Sequence, residues 1–122
     1  MKKFIYLAVF SFLLLASGRE VSAQAMQDFT ITNYTGVTIM HLYISPSKSA
    51  EWGEDVLGVE YFNTDTYIPI KFGRNADFCF YDIRVTDKDN NYMDFNEIDL
   101  CQWSELELYF DQSTSVGTVK YK

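Results

Sequence analysis

Asn33-Tyr-Thr-Gly-Val-Thr-Ile-Met-His-Leu-Tyr-Ile-Ser-Pro-Ser-Lys-Ser-Ala-Glu-Trp-Gly-Glu-Asp-Val-Leu-Gly58 contains a turn, a long β-prone run, a proline stop and a compact loop. Val37, Ile39, His41 and Tyr43 alternate with Thr38, Met40, Leu42 and Ile44, a period of two that belongs to a strand. Both faces of that run are largely apolar, which predicts a central strand covered on each side. Pro46 ends it, because proline has no N–H to give a ladder. Beyond it, Ser47 or Ser49 can cap a helix, Glu51 suits the positive end of its dipole, and Gly53 and Gly58 limit its length. One short helical turn near 48–57 is therefore compatible with the sequence.

The flanking sequence repeats the same two-residue period. Phe29 and Ile31 alternate with Thr30 and Thr32, and Gly36 is free to take positive φ in the turn that follows. Ile68, Ile70 and Phe72 alternate with Tyr67, Pro69 and Lys71, and Pro69 marks that strand as an edge. Cys79, Tyr81, Ile83 and Val85 share an apolar face, leaving Phe80, Asp82 and Arg84 on the other. Tyr92–Phe95, Ser104–Phe110 and Val116–Lys122 complete the set, with polar turns between them. About seven short strands and no helical period predict an all-β chain, a small antiparallel β-sandwich or a partly open barrel.

Upstream, Lys2 and Lys3 precede an almost unbroken apolar run from Phe4 to Ala16, and small residues follow at Val21-Ser-Ala23 and Ala23-Gln-Ala25. This is the pattern of a cleaved signal peptide over residues 1–23, or to 25, with one domain over 24–122. A span of about 13 residues at about 1.5 Å each falls short of the roughly 30 Å hydrocarbon core, so no membrane span is expected. No cysteine follows Ser17-Gly18 to take a lipid. The expected location is the periplasm or the extracellular medium.

Charge and cysteine usage narrow the partners. The full chain carries a formal net charge of −7, and Lys2, Lys3, Arg19 and Glu20 leave with the leader, so the remainder is more acidic still. Such a field repels nucleic acid and anionic membrane surfaces, while a calcium ion, a cationic protein or a neutral glycan remains compatible. The plain alternative is that the charge only keeps the domain soluble. Cys79 and Cys101 are the two cysteines, and in an oxidising compartment an even count predicts a disulfide.

Candidate chemistry is sparse. Trp52 with Glu54 and Asp55 can form a ligand platform beside two carboxylates; alternatively Trp52, Val56 and Leu57 plug one end of a sandwich. Asp87, Asp89 and Asn91 alternate oxygen side chains like the start of a calcium loop. However, Tyr92 and Ile98 stand where an EF-hand needs Gly and Glu, so a polar hairpin turn accounts for the same residues. His41 is the single histidine and lies within the apolar run, where a satisfied core or interface imidazole is expected. With both cysteines bridged, neither a Cys-His pair nor an ordinary zinc site can be assembled, and no catalytic residue stands out.

Asn-x-Thr-Gly at 33–36, Leu-Tyr-Ile-Ser-Pro-Ser at 42–47, Trp-Gly-x-Asp-x-Leu-Gly at 52–58, Cys-x-Tyr-Asp-Ile-Arg-Val at 79–85 and Leu-Cys at 100–101 resemble an uncharacterised family of short exported bacterial proteins. The resemblance covers nearly all of residues 24–122 and implies secretion, one β domain and the cysteine pair. It carries over no catalytic or binding residue. The chain departs from the pattern at Thr64-Asp65-Thr66, where such proteins often place Gly. Three functions fit. The first is a noncatalytic secreted or periplasmic module that binds protein. The second is a glycan-binding module, calcium-assisted or not, suggested by an aromatic share of 17%. The third is a small glycosidase-like enzyme, for which the carboxylate spacing is not fixed by sequence.

Overall fold

Alternating apolar residues set the strands. The computed structural model describes residues 25–122, so the leader assigned to 1–23 lies outside the described residues. The strands are β1 (Phe29–Tyr34), β2 (His41–Pro46), β3 (Thr66–Ile70), β4 (Phe80–Thr86), β5 (Tyr92–Asp99), β6 (Glu105–Asp111) and β7 (Val116–Tyr121). They form a four-stranded sheet, β3-β1-β6-β7, and a three-stranded sheet, β2-β4-β5. Only β1 and β6 run parallel; every other pairing is antiparallel. The result is an all-β sandwich rather than a closed barrel.

The inward faces make one core. Ile31 of β1, Leu42 of β2, Ile83 of β4, Ile98 of β5, and Leu106 and Leu108 of β6 are all at most 1% exposed. Burying each such side chain contributes roughly 1.5–3 kcal/mol. Cys79 and Cys101 are joined across the open end of the β4–β5 hairpin, where the Leu100 N–H also donates to the Cys79 carbonyl at 2.8 Å. Closing the sequence separation of 22 residues stabilises the fold by about 3 kcal/mol on the chain-entropy model.

The organising stretch differs from expectation in two ways. Regular pairing starts at His41, with Ile39 held to Phe62 by an isolated bridge, and β2 is an edge strand rather than a central one. Its two-sided apolarity has another cause: residues 47–58 fold back over it. The Asp55 carboxylate accepts from the Leu42 N–H at 3.0 Å, and the Val56 N–H donates to the Leu42 carbonyl at 2.8 Å. A side chain and a loop thus occupy the free edge of β2, which prevents another strand from pairing there. Residues 48–57 form turns and no helix. Ser49 bonds to Glu51, and Asp55 accepts from the Leu57 N–H, so local side-chain partners replace helical ones.

One buried polar group fastens the other end of this stretch. Asn33 is 0% exposed. Its amide donates to the Val37 and Phe62 carbonyls at 2.9 and 3.0 Å, and its oxygen accepts from the Thr35 N–H and hydroxyl at 2.9 and 2.6 Å. The Asp65 N–H donates to the Asn33 carbonyl, with Asp65 at φ 64. That left-handed conformation is one an aspartate tolerates, which explains how Thr64-Asp65-Thr66 turns the chain without Gly.

Candidate binding face

Register puts Tyr43, Arg84 and Asp94 in one cross-strand row on the outer face of β2-β4-β5, with His41, Thr86 and Tyr92 in the next. The 47–58 loop then lays Trp52 over that face. The Arg84 guanidinium lies 5.2 Å from the Trp52 ring centre and 4.0 Å from that of Tyr92, so two aromatic rings share one cation. Asp94 holds the same guanidinium through two bonds of 2.7 and 2.8 Å. That pairing keeps Arg84 firmly charged, raising its pKa above the ordinary arginine value. Tyr43 adds a third ring 6.4 Å from Trp52, and His41 stacks on Tyr43 at 6.3 Å.

Each cation–π contact of this exposed kind is worth about 0.5–1 kcal/mol, too little to explain the fold but enough to fix the geometry of a surface. Tyr92 remains 59% exposed at the rim. The face therefore presents pre-ordered aromatic area with its charge neutralised internally. Chemically it suits stacking and hydrogen bonding.

Behind Trp52 lies a small pocket of ≈ 190 Å³ walled by Ser45, Glu51, Trp52, Asp82, Asp94 and Asn96. It is below the roughly 300–1,000 Å³ of ordinary small-molecule sites. Asp82 is committed to the fold, accepting from the Ser47 hydroxyl at 2.7 Å and from the Glu97 N–H at 2.8 Å. Glu97 sits at φ 55, where two β5 residues oppose one on β4, and the Asp82 carboxylate stabilises that bulge.

The expected platform of Trp52, Glu54 and Asp55 is divided. Trp52 belongs to the outer face, Glu54 is exposed to solvent, and Asp55 faces the β2 edge. Burial opposes ionisation of Asp55, but the Leu42 N–H, the His41 ring and the Leu57 N–H together outweigh it and hold the carboxyl below the usual aspartate range. His41 is not a core residue: its side chain is 44% exposed, with Nδ1 2.8 Å from Asp55 Oδ2. The outward register of an edge strand puts it there.

Asp87, Asp89 and Asn91 do lie together in the β4–β5 turn, yet both Asp87 oxygens serve the turn itself. Asp87 Oδ1 accepts from the Asp89 and Asn91 N–H groups at 2.8 and 3.0 Å, and Oδ2 from the Asn91 amide at 3.1 Å. The Asn91 amide, followed by those N–H groups, lowers the Asp87 pKa. Asp89 faces Lys88 at 3.3 Å, and Asn90 takes φ 63. This is the geometry of a side-chain-capped hairpin turn. Among the described residues, Cys79, Asp99 and Cys101 form the one His/Cys/Asp/Glu group with ligand atoms close together, and its sulfurs are already joined as a disulfide.

Arg84, Tyr92, Asp94 and Tyr43 complete the face and were not singled out by sequence as site residues. Alternation alone put Arg84 outward; only the register brings Asp94 and Tyr43 beside it. Compared with known proteins, the chain matches no family model, no curated protein and no solved structure. Among the described residues no helix is long and apolar enough to cross a membrane.

Proposed function

We propose that this is a noncatalytic, exported bacterial interaction module that binds a protein partner through the outer face of β2-β4-β5. The observation that carries the reading is the Arg84 guanidinium held between Trp52 and Tyr92 and clamped by Asp94. Aromatic and arginine side chains dominate the energetics of protein interfaces, and one already immobilised loses little entropy on binding. The noncatalytic part is supported by the commitments of the polar groups nearby. Asp55, Asp82 and Asp94 each hold a hydrogen bond that shapes the fold, and the single histidine is tied to Asp55.

A glycan ligand is the second reading, because the Trp52 ring borders a pocket carrying Asn96, Ser45 and carboxylate oxygens, the combination of flat ring and polar edge that a sugar uses. Crosslinking capture from an envelope fraction, run beside polysaccharide resins, separates the two. The protein reading expects one discrete partner whose recovery falls at least tenfold with Trp52→Ala or Tyr92→Ala, while both variants keep the wild-type circular dichroism. Retention on a polysaccharide resin that depends on Trp52 would transfer the face to the glycan reading. Recovery unaffected by both substitutions would remove the face from either.

A further inference from the structure

The ends of β1, β4 and β6 and the beginnings of β5 and β7 meet at one end of the sandwich, around a cleft of ≈ 400 Å³. That volume falls within the range of small-molecule sites, about twice that of the pocket behind Trp52. Ile39 and Val85, 3% and 2% exposed, belong to both the core and the cleft wall, and Val37, Met93 and Phe110 extend the apolar lining. Thr86 also lines it, and its Oγ1 is shielded from solvent without a hydrogen-bond partner among the described residues. The hydroxyl is out of reach of a water-sized atom in this rotamer, so a ligand atom would satisfy it only after the Thr86 side chain rotates toward the cleft.

Charge selects the class of ligand. Among the described residues no Lys, Arg or His lines the cleft, and Asp87 is the one charged residue there, with both oxygens engaged in its own turn. The acidic chain around it adds a field that opposes anions. We infer that this cleft is a binding site for a small neutral amphiphile, with an apolar body on Ile39, Val85 and Phe110 and a hydrogen-bonding head that reaches Thr86. The cleft adjoins the Trp52 face, sharing Thr86 and Tyr92 with it, but does not depend on the function proposed for that face.

Two dyes of one skeleton test the inference on the purified protein. Neutral N-phenyl-1-naphthylamine should bind saturably, one to one, with enhanced emission. Its anionic relative 1-anilinonaphthalene-8-sulfonate should bind at least tenfold more weakly. Val37→Trp, which fills the cleft, should weaken the neutral dye at least tenfold, and Tyr67→Ala on the edge of the other sheet should leave it unchanged. Carbon-13 NMR of the methionine methyls covers the case in which Val37→Trp fails to fold: Met93 should shift on titration with the neutral dye while Met26 stays. Absent saturation, equal affinity for the anionic dye, indifference to a folded Val37→Trp, sensitivity to Tyr67→Ala, or an unmoved Met93 methyl would each overturn it.

Discussion

Replacing Asn33 with Ala should lower stability by about 4 kcal/mol, enough to move Tm down by roughly 15–30 °C in a domain of this size. The change removes four hydrogen bonds from a side chain that is 0% exposed. The groups it abandons are not equal. The Phe62 carbonyl still accepts from the Ile39 N–H, and the Val37 carbonyl from the Thr35 hydroxyl, but the buried Thr35 N–H loses its acceptor. A cavity adds to that loss. Against a typical total of about 5–15 kcal/mol, a loss of this size leaves little margin.

Asn33→Asp separates hydrogen bonding from volume. A carboxylate there would face the Val37 and Phe62 carbonyls with no donor to offer, so at neutral pH this variant should be at least as unstable as Asn33→Ala. Burial and those carbonyls raise the folded pKa of the introduced acid above its unfolded value. The variant should therefore regain stability as pH falls through that raised value, when the protonated acid can donate once. Denaturant unfolding at several pH values measures both effects. A loss under about 1 kcal/mol for both variants would refute the role assigned to Asn33.

Asp55→Ala should cost about 3 kcal/mol, because one ionised carboxylate accepts from the Leu42 N–H, the Leu57 N–H and the His41 ring; a bond to a charged group contributes roughly 1.5–3 kcal/mol net, and water entering this partly exposed position replaces some of the three. It also uncovers the β2 edge, so self-association should rise at high protein concentration. Asp55→Asn keeps an acceptor at nearly the same place and should cost about 1 kcal/mol. The pH dependence follows from the depressed folded pKa of Asp55. Its ionised form stabilises the fold fully above the unfolded pKa, and that contribution is lost as pH falls through the folded value. The gap between wild type and Asp55→Asn should thus be open at pH 7 and close below about pH 4. A gap that stays constant across that window, read from urea midpoints, would deny the carboxylate its special role.

Much of this architecture was legible in the amino-acid order because strand alternation is a local property. The inward set Tyr81, Ile83 and Val85 follows from a period of two, as does the outward placement of Asp82 and Arg84. Pro69 correctly marked an edge, and the cysteine pair a disulfide. What alternation cannot supply is the partner across a strand or the cover above it. The two apolar faces of the 37–45 run predicted a central strand, but β2 lies at a sheet edge and a loop from the same chain covers it. Asp55 suggested a ligand group because a carboxylate near a Trp looks functional in sequence; its use as an edge cap depends on a fold-back of 13 residues. Arg84, Tyr92 and Trp52 converge from two strands and a loop, so no spacing signal links them.

The central claim, that a partner meets the outer face of β2-β4-β5, is tested most directly by site-specific photocrosslinking in the producing cell. p-Benzoylphenylalanine replaces residue 92 in one strain and residue 67 in another; both positions are exposed, on opposite sheets. The account predicts a discrete crosslinked band from position 92 and none from position 67. A band from position 67 alone, or from neither, would contradict it.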